Sequence, residues 1–165
     1  MHSYALRVNT AVTLAIMVLA VLCSFVSLSD HFHASSPHVH LEVLSIDAFQ
    51  RQKAGNDEVW LTLNISADFS SVFSWNTKQL FIFVAAEYVT PKNVVNQVSL
   101  WDAILVSKNH AKFSIKTRNK YSFVDQGNNL RGSDFNLTMY WHVMPLTGAM
   151  YTEKQVFSGF RLPTE

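Results

Sequence analysis

A disulfide is the first thing this chain lacks. Its only cysteine, Cys23, lies inside an apolar run, so the rest of the chain must fold on hydrophobic burial alone. A surplus of either charge is missing too: there are 12 acids and 13 Lys+Arg, and all of them except Arg7 lie beyond Ser29. That neutral remainder has no electrostatic reason to bind nucleic acid or anionic lipid, and no nucleic-acid partner is expected. Catalytic signatures are absent as well. There is no G-x-S-x-G elbow, no H-E-x-x-H and no glycine-rich phosphate loop. Beyond residue 40 only His110 and His142 remain as imidazole bases, and neither stands in a recognisable nucleophile–base pattern. The residues point to no cofactor and no catalytic group.

Charge is also absent from Val8 to Ser29, VNTAVTLAIMVLAVLCSFVSLS. As a helix this run is about 33 Å long, enough to cross the hydrocarbon core of a bilayer. Arg7 stands just before it and Asp30 just after, and the next basic residue is Arg51. Positive charge is retained on the cytosolic side, so residues 1–7 read as a cytosolic tail, 8–29 as a transmembrane anchor, and everything from Asp30 as exported. A cleaved signal peptide is the competing reading. Its apolar core is usually shorter, and the best cleavage pair here, Ser27 and Ser29 before Asp30, matches an A-x-A site poorly.

Residues 30–38 read as a short polar stalk broken by Pro37. His31, His33, His38 and His40 form two H-x-H units of the kind that can hold zinc or copper. No acid or cysteine with ligand geometry accompanies them, so the stalk reading stands and no metal is assigned.

From residue 39 to the end, about 135 residues counted with the stalk, the hydrophobic period is two: one domain's worth of chain with room for a core. Strands are expected at Val39–Ile46, Val59–Asp68, Gln79–Val89, Val94–Val106, Ala111–Arg118, Tyr121–Val124, Phe135–Val143 and Tyr151–Leu162. Polar turns separate them at Arg51–Asp57, at Pro91, at Lys108–His110, in the Gly127–Gly132 loop and at Pro145. With no helical pattern beyond the anchor, this spacing argues an all-β, antiparallel β-sandwich.

Two sequons occur, Asn64-Ile-Ser66 and Asn136-Leu-Thr138. Both asparagines fall on the polar side of their strand, where a glycan fits, and Asn136 is the stronger acceptor. One strand breaks the one-wet-face rule of a two-layer sandwich. Leu80, Ile82, Val84, Ala86 and Tyr88 lie on one side of Gln79–Val89, yet Phe81, Phe83, Ala85 and Val89 lie on the other. The next strand repeats the anomaly, with Val98, Leu100 and Ile104 against Val95, Trp101, Ala103 and Leu105. Either the chain's own loops or a bulge absorb the second face, or a partner covers it with Phe81, Phe83 and Trp101 as anchors.

Phe73–Tyr88, FSWNTKQLFIFVAAEY, and Asn96–Ile104, NQVSLWDAI, resemble the signal peptidase complex subunit 3 family of the eukaryotic endoplasmic reticulum. The likeness continues through Lys120-Tyr121-Ser122-Phe123, the Gly127–Gly132 loop, and Asn136-Leu-Thr138 followed by Trp141 and Pro145. The resemblance implies a single-pass protein with a cytosolic N-terminus and a luminal β-sandwich. It implies a non-catalytic subunit whose partners are a separate catalytic signal peptidase subunit, the other subunits of that complex, and the bilayer through residues 8–29. The family's luminal sequon maps onto Asn136; Asn64 has no counterpart. The competing reading is an independent anchored or secreted β-sandwich binding module that uses exposed aromatics such as Trp60 or Tyr140.

Overall fold

In a computed structural model, which describes residues 3–30 and 32–164, the apolar run is one helix, α1, Tyr4–Asp30. No residue of α1 is buried, and its apolar side chains point outward all round. An apolar surface on every side is that of a helix able to lie in lipid. At about 1.5 Å per residue its length is roughly 40 Å, more than a bilayer core needs. Met1, His2, His31 and Glu165 lie outside the described residues, so the expectations placed on the chain's first two residues and on the first histidine of the stalk cannot be compared with the fold.

The other elements are strands and one short 3-10 turn at Lys108–His110. In chain order the strands are β1 (His38–Arg51), β2 (Asp57–Asp68), β3 (Thr77–Tyr88), β4 (Asn96–Leu105), β5 (Lys112–Arg118), β6 (Phe123–Val124), β7 (Asp134–Pro145) and β8 (Tyr151–Arg161). They form two antiparallel sheets that pack as a sandwich. One runs β1-β2-β5, with β6 also paired to β2; the other runs β4-β3-β7-β8. The expected fold class is the observed one.

The core is built from alternate residues of the central strands. Leu61, Leu63 and Ile65 of β2 face Leu80, Ile82 and Val84 of β3 and Leu137 and Met139 of β7, all of them fully buried. Each such aliphatic contributes about 1.5–3 kcal/mol of burial. At the end of the sandwich remote from α1, Tyr88 donates a 2.8 Å hydrogen bond to the buried Asp125 carboxylate, which also accepts from the backbone and side chain of Asn129. Burial alone would raise the Asp125 pKa, but the hydrogen bonds outweigh it and hold the group below the usual carboxylate value. The 125–132 loop is thereby fixed to the core.

Two strands differ from the sequence reading. β1 does not stop at Ile46 but continues to Arg51, carried past register shifts between Val43 and Ser45 and between Ile46 and Ala48. Each shift reverses the alternation, which hides the strand from a period-two count. The turn shrinks to Gln52–Asn56, closed by the Gln52 N–H on Asn56 O at 2.9 Å, with Gly55 at φ +93°.

In β4, Val84 pairs with Trp101 and Ala85 with Ser99, leaving Leu100 as an extra residue. This bulge turns both Leu100 and Trp101 into the core. Trp101 is 6% exposed and packs 6.2 Å, centroid to centroid, from Phe113 of the opposite sheet. The expectation that Trp101 faces outward is therefore corrected.

Candidate functional site

The outer face of the β4-β3-β7-β8 sheet carries what the sequence placed there for β3. Phe81 and Phe83 point away from the core, and cross-strand pairing sets them beside His142 and Tyr140 of β7. The rings form one cluster: Phe83 stacks on Tyr140 at 4.8 Å with 6° between planes, on His142 at 5.5 Å, and on Phe81 at 5.7 Å. On the β4 side, Ile104 pairs with Phe81 and is 56% exposed, while Asp102 pairs with Phe83. Phe81, Phe83, Ser99, Asp102 and Tyr121 line a shallow, mainly apolar depression. Its polar rim is fixed, since Lys120 Nζ donates to both the carbonyl and the carboxylate of Asp102, at 2.8 and 3.1 Å.

Tyr140 anchors the other side of the cluster by donating a 2.6 Å hydrogen bond to Glu87. Burial first, and then that bond, push its hydroxyl above the ordinary tyrosine value, so the ring is held as a neutral donor. The result is an apolar aromatic cluster whose neighbouring polar atoms are already paired.

Asn136 lies on the same outer face, where β3 sets it against Glu87. Four residues separate it from Tyr140, about 13 Å along the strand. Asn64 is on the outer face of the other sheet, with its amide 3.5 Å from Glu42. Trp60, also on that sheet, has its ring face covered by the Arg118 guanidinium at 4.4 Å.

Among the described residues no three His, Cys, Asp or Glu side chains are grouped to hold a metal. His33 sits 2.8 Å from the Ser71 carbonyl, and His40 forms a 2.9 Å pair with Glu42. Ser107 and His110 make a 2.9 Å hydroxyl–imidazole contact, and His142 contacts Thr152 at 3.0 Å. Neither ring has a carboxylate partner among the described residues.

One constellation escaped the sequence reading: the bracket that ties α1 to the sandwich. Asn76, 1% exposed, donates from Nδ2 to the Asp30 carboxylate at 2.6 Å and to Thr147 O at 2.8 Å. Its Oδ1 accepts from Thr147 N at 3.1 Å, and its carbonyl accepts from Leu146 N. The β2–β3 connector joins in, with Ser74 Oγ 3.4 Å from Asp30 and Ser71 Oγ accepting from Ser36 N at 3.2 Å. The stalk is therefore pinned at both ends. Asn76 belongs to the Phe73–Tyr88 stretch quoted above, but its partners are 46 and 71 residues away, and no local pattern announces them.

The fold defines a class: a two-sheet β-sandwich bracketed to one N-terminal helix long and apolar enough to span a membrane, with an aromatic cluster on its outer sheet face. Comparison with known proteins makes the class specific. The family model described as "Signal peptidase subunit" matches residues 1–165. Signal peptidase complex subunit 3 of Oryza sativa subsp. japonica is 36% identical over 99% of this chain and 97% of its own length. Its namesake in Dictyostelium discoideum is 33% identical over 99% and 96%, and the Homo sapiens protein of that name is 33% identical over 91% and 87%. The chain belongs to the signal peptidase complex subunit 3 family.

Proposed function

We propose that this protein is a non-catalytic, single-pass subunit of an endoplasmic reticulum signal peptidase complex, and that it supports removal of signal peptides by a separate catalytic subunit. The carrying observation is the aromatic outer face of β3 and β7 in a chain whose relatives are named as subunits of that complex. Phe81 and Phe83 are its anchors; Trp101, being core, is not. Two features weigh against an independent glycan-binding module. Arg118 covers one face of the Trp60 ring, and the Tyr140 ring is stacked on Phe83 with Lys154 Nζ 5.6 Å from its centroid. Depletion of the chain should leave preproteins uncleaved in cells; normal processing in depleted cells would end the proposal.

Residues 1–7 are cytosolic on this reading, 8–29 span the bilayer, 30–38 form the stalk, and 39–165 are luminal. The single basic residue before the apolar run supports this orientation. Asn136 is the acceptor for a glycan, with Asn64 a secondary candidate. Thr138 of the Asn136 sequon is fully buried in the sheet, so transfer has to precede folding of β7. A glycan there also closes the far end of the outer face, and it leaves the catalytic subunit the half nearer α1. In sealed microsomes, added protease should trim only the N-terminal tail, and Asn136→Gln should remove the mobility shift that endoglycosidase removes. Digestion of the β domain without detergent would contradict the orientation. An unchanged band for Asn136→Gln would exclude the site.

A further inference from the structure

The structure also indicates how the sandwich stands on the membrane, an inference that rests on the spanning reading of α1. Its starting point is depth. Thr147 and Gly148, at the tip of the β7–β8 hairpin, line a cleft with Cys23, Ser24, Ser27 and Leu28 of α1. Gly148 (φ +116°) approaches so closely that an added Cβ would lie 2.8 Å from Ser27 Oγ. These helix residues all fall within the charge-free run, so whatever layer holds the last two turns of α1 must also hold the hairpin tip.

The side chains around that tip suit the boundary of a bilayer. Phe32, Trp75, Leu146 and Met150 are 83%, 69%, 66% and 67% exposed, a concentration of large apolar groups that a water-facing loop end would not carry. All four belong to segments held against the end of α1, through Asp30 to Ser74 and Asn76 and through Asn76 to Leu146 and Thr147. No charged residue occurs in 69–77 or in 146–152. Irregular backbone is excluded from the hydrocarbon itself but is tolerated near it where its polar groups are paired. Asn76 supplies that pairing, satisfying Leu146 N and both polar backbone groups of Thr147. Tryptophan is the residue that most prefers the interfacial layer.

We propose that the β2–β3 connector and the β7–β8 hairpin form a lipid-binding seat, with Trp75, Leu146, Met150 and Phe32 inserted into the interfacial layer of the leaflet where α1 ends. The Asn76 bracket ties the seat to the end of the helix, so lipid contact at the seat sets the height and tilt at which the outer sheet face meets its partner.

The test uses the full chain in phosphatidylcholine vesicles, with and without bromine on the lipid acyl chains, and reads tryptophan emission of wild type and Trp75→Phe. Trp101 and Trp141 are core residues and Trp60 lies under Arg118, so the difference between the two proteins reports Trp75. Brominated lipid should extinguish most of that difference, and the double variant Leu146→Asp/Met150→Asp, altered only at exposed positions, should restore it. A difference that survives in brominated lipid would overturn the seat, as would quenching unaffected by the double variant. An alkaline carbonate wash separates the two levels of the account. Release of the chain from the vesicles would refute spanning and the seat together, whereas a retained chain with unquenched Trp75 would refute the seat alone.

Discussion

Phe83→Asp should detach this subunit from its complex while leaving its β structure intact. Phe83 lies at the centre of the outer cluster, in contact with Phe81, Tyr140 and His142. The domain core is on the opposite side of β3, in Ile82 and Val84. Losing the ring costs the isolated domain its aromatic pairs, about 0.5–1.5 kcal/mol each. That is affordable against a typical stability of about 5–15 kcal/mol. At an interface the same change removes a central anchor and buries a carboxylate against aromatic carbon. A hot-spot loss of at least about 2 kcal/mol follows, roughly thirtyfold in affinity. Co-purification from mild detergent and circular dichroism read the two effects separately. A variant that folds and still co-purifies would show that the face is not the interface, and one that loses its β signal would show that the face is core.

Trp101→Ala should behave in the opposite way. The bulge at Leu100 places the indole between the sheets against Phe113, so truncation opens a large cavity in the core. Such changes cost about 3–5 kcal/mol. The thermal midpoint of the variant should fall by many degrees, with any loss of the complex following from unfolding. Unchanged thermal stability would contradict the inward placement of Trp101. Together the two variants separate residues that look equivalent in sequence: both are aromatic, both lie on adjacent strands, and both fall on the apparent second apolar face.

That contrast shows what the sequence can and cannot reveal. In β2 the alternation of Val59, Leu61, Leu63, Ile65 and Ala67 is carried unbroken into the core, because nothing interrupts the pleat. In β3 the doubly apolar pattern is a physical fact, and Phe81 and Phe83 do face outward. In β4 the same pattern arises from a bulge, and N-Q-V-S-L-W-D-A-I-L contains no glycine or proline to mark it. Only the register with β3 tells the two cases apart. β1 runs beyond its expected end for a related reason. Its irregular centre is stabilised by side chains: Ser45 Oγ donates to Asp47 at 2.6 Å and Thr62 Oγ1 donates to the same carboxylate at 2.7 Å. In sequence these small polar residues look like the beginning of a turn. The Asn76 bracket was illegible because its partners are brought together only by the closed sandwich.

The central claim is that this chain serves a peptidase without being one. Affinity purification of the full chain from microsomes in mild detergent, followed by assay of the eluate on a preprotein, tests it most directly. The account predicts that other subunits co-elute and that the eluate removes the signal peptide. It also predicts that the chain, stripped of its partners by harsher detergent, has no activity. A chain that elutes alone and inert, or a stripped chain that still cleaves the preprotein, would contradict it.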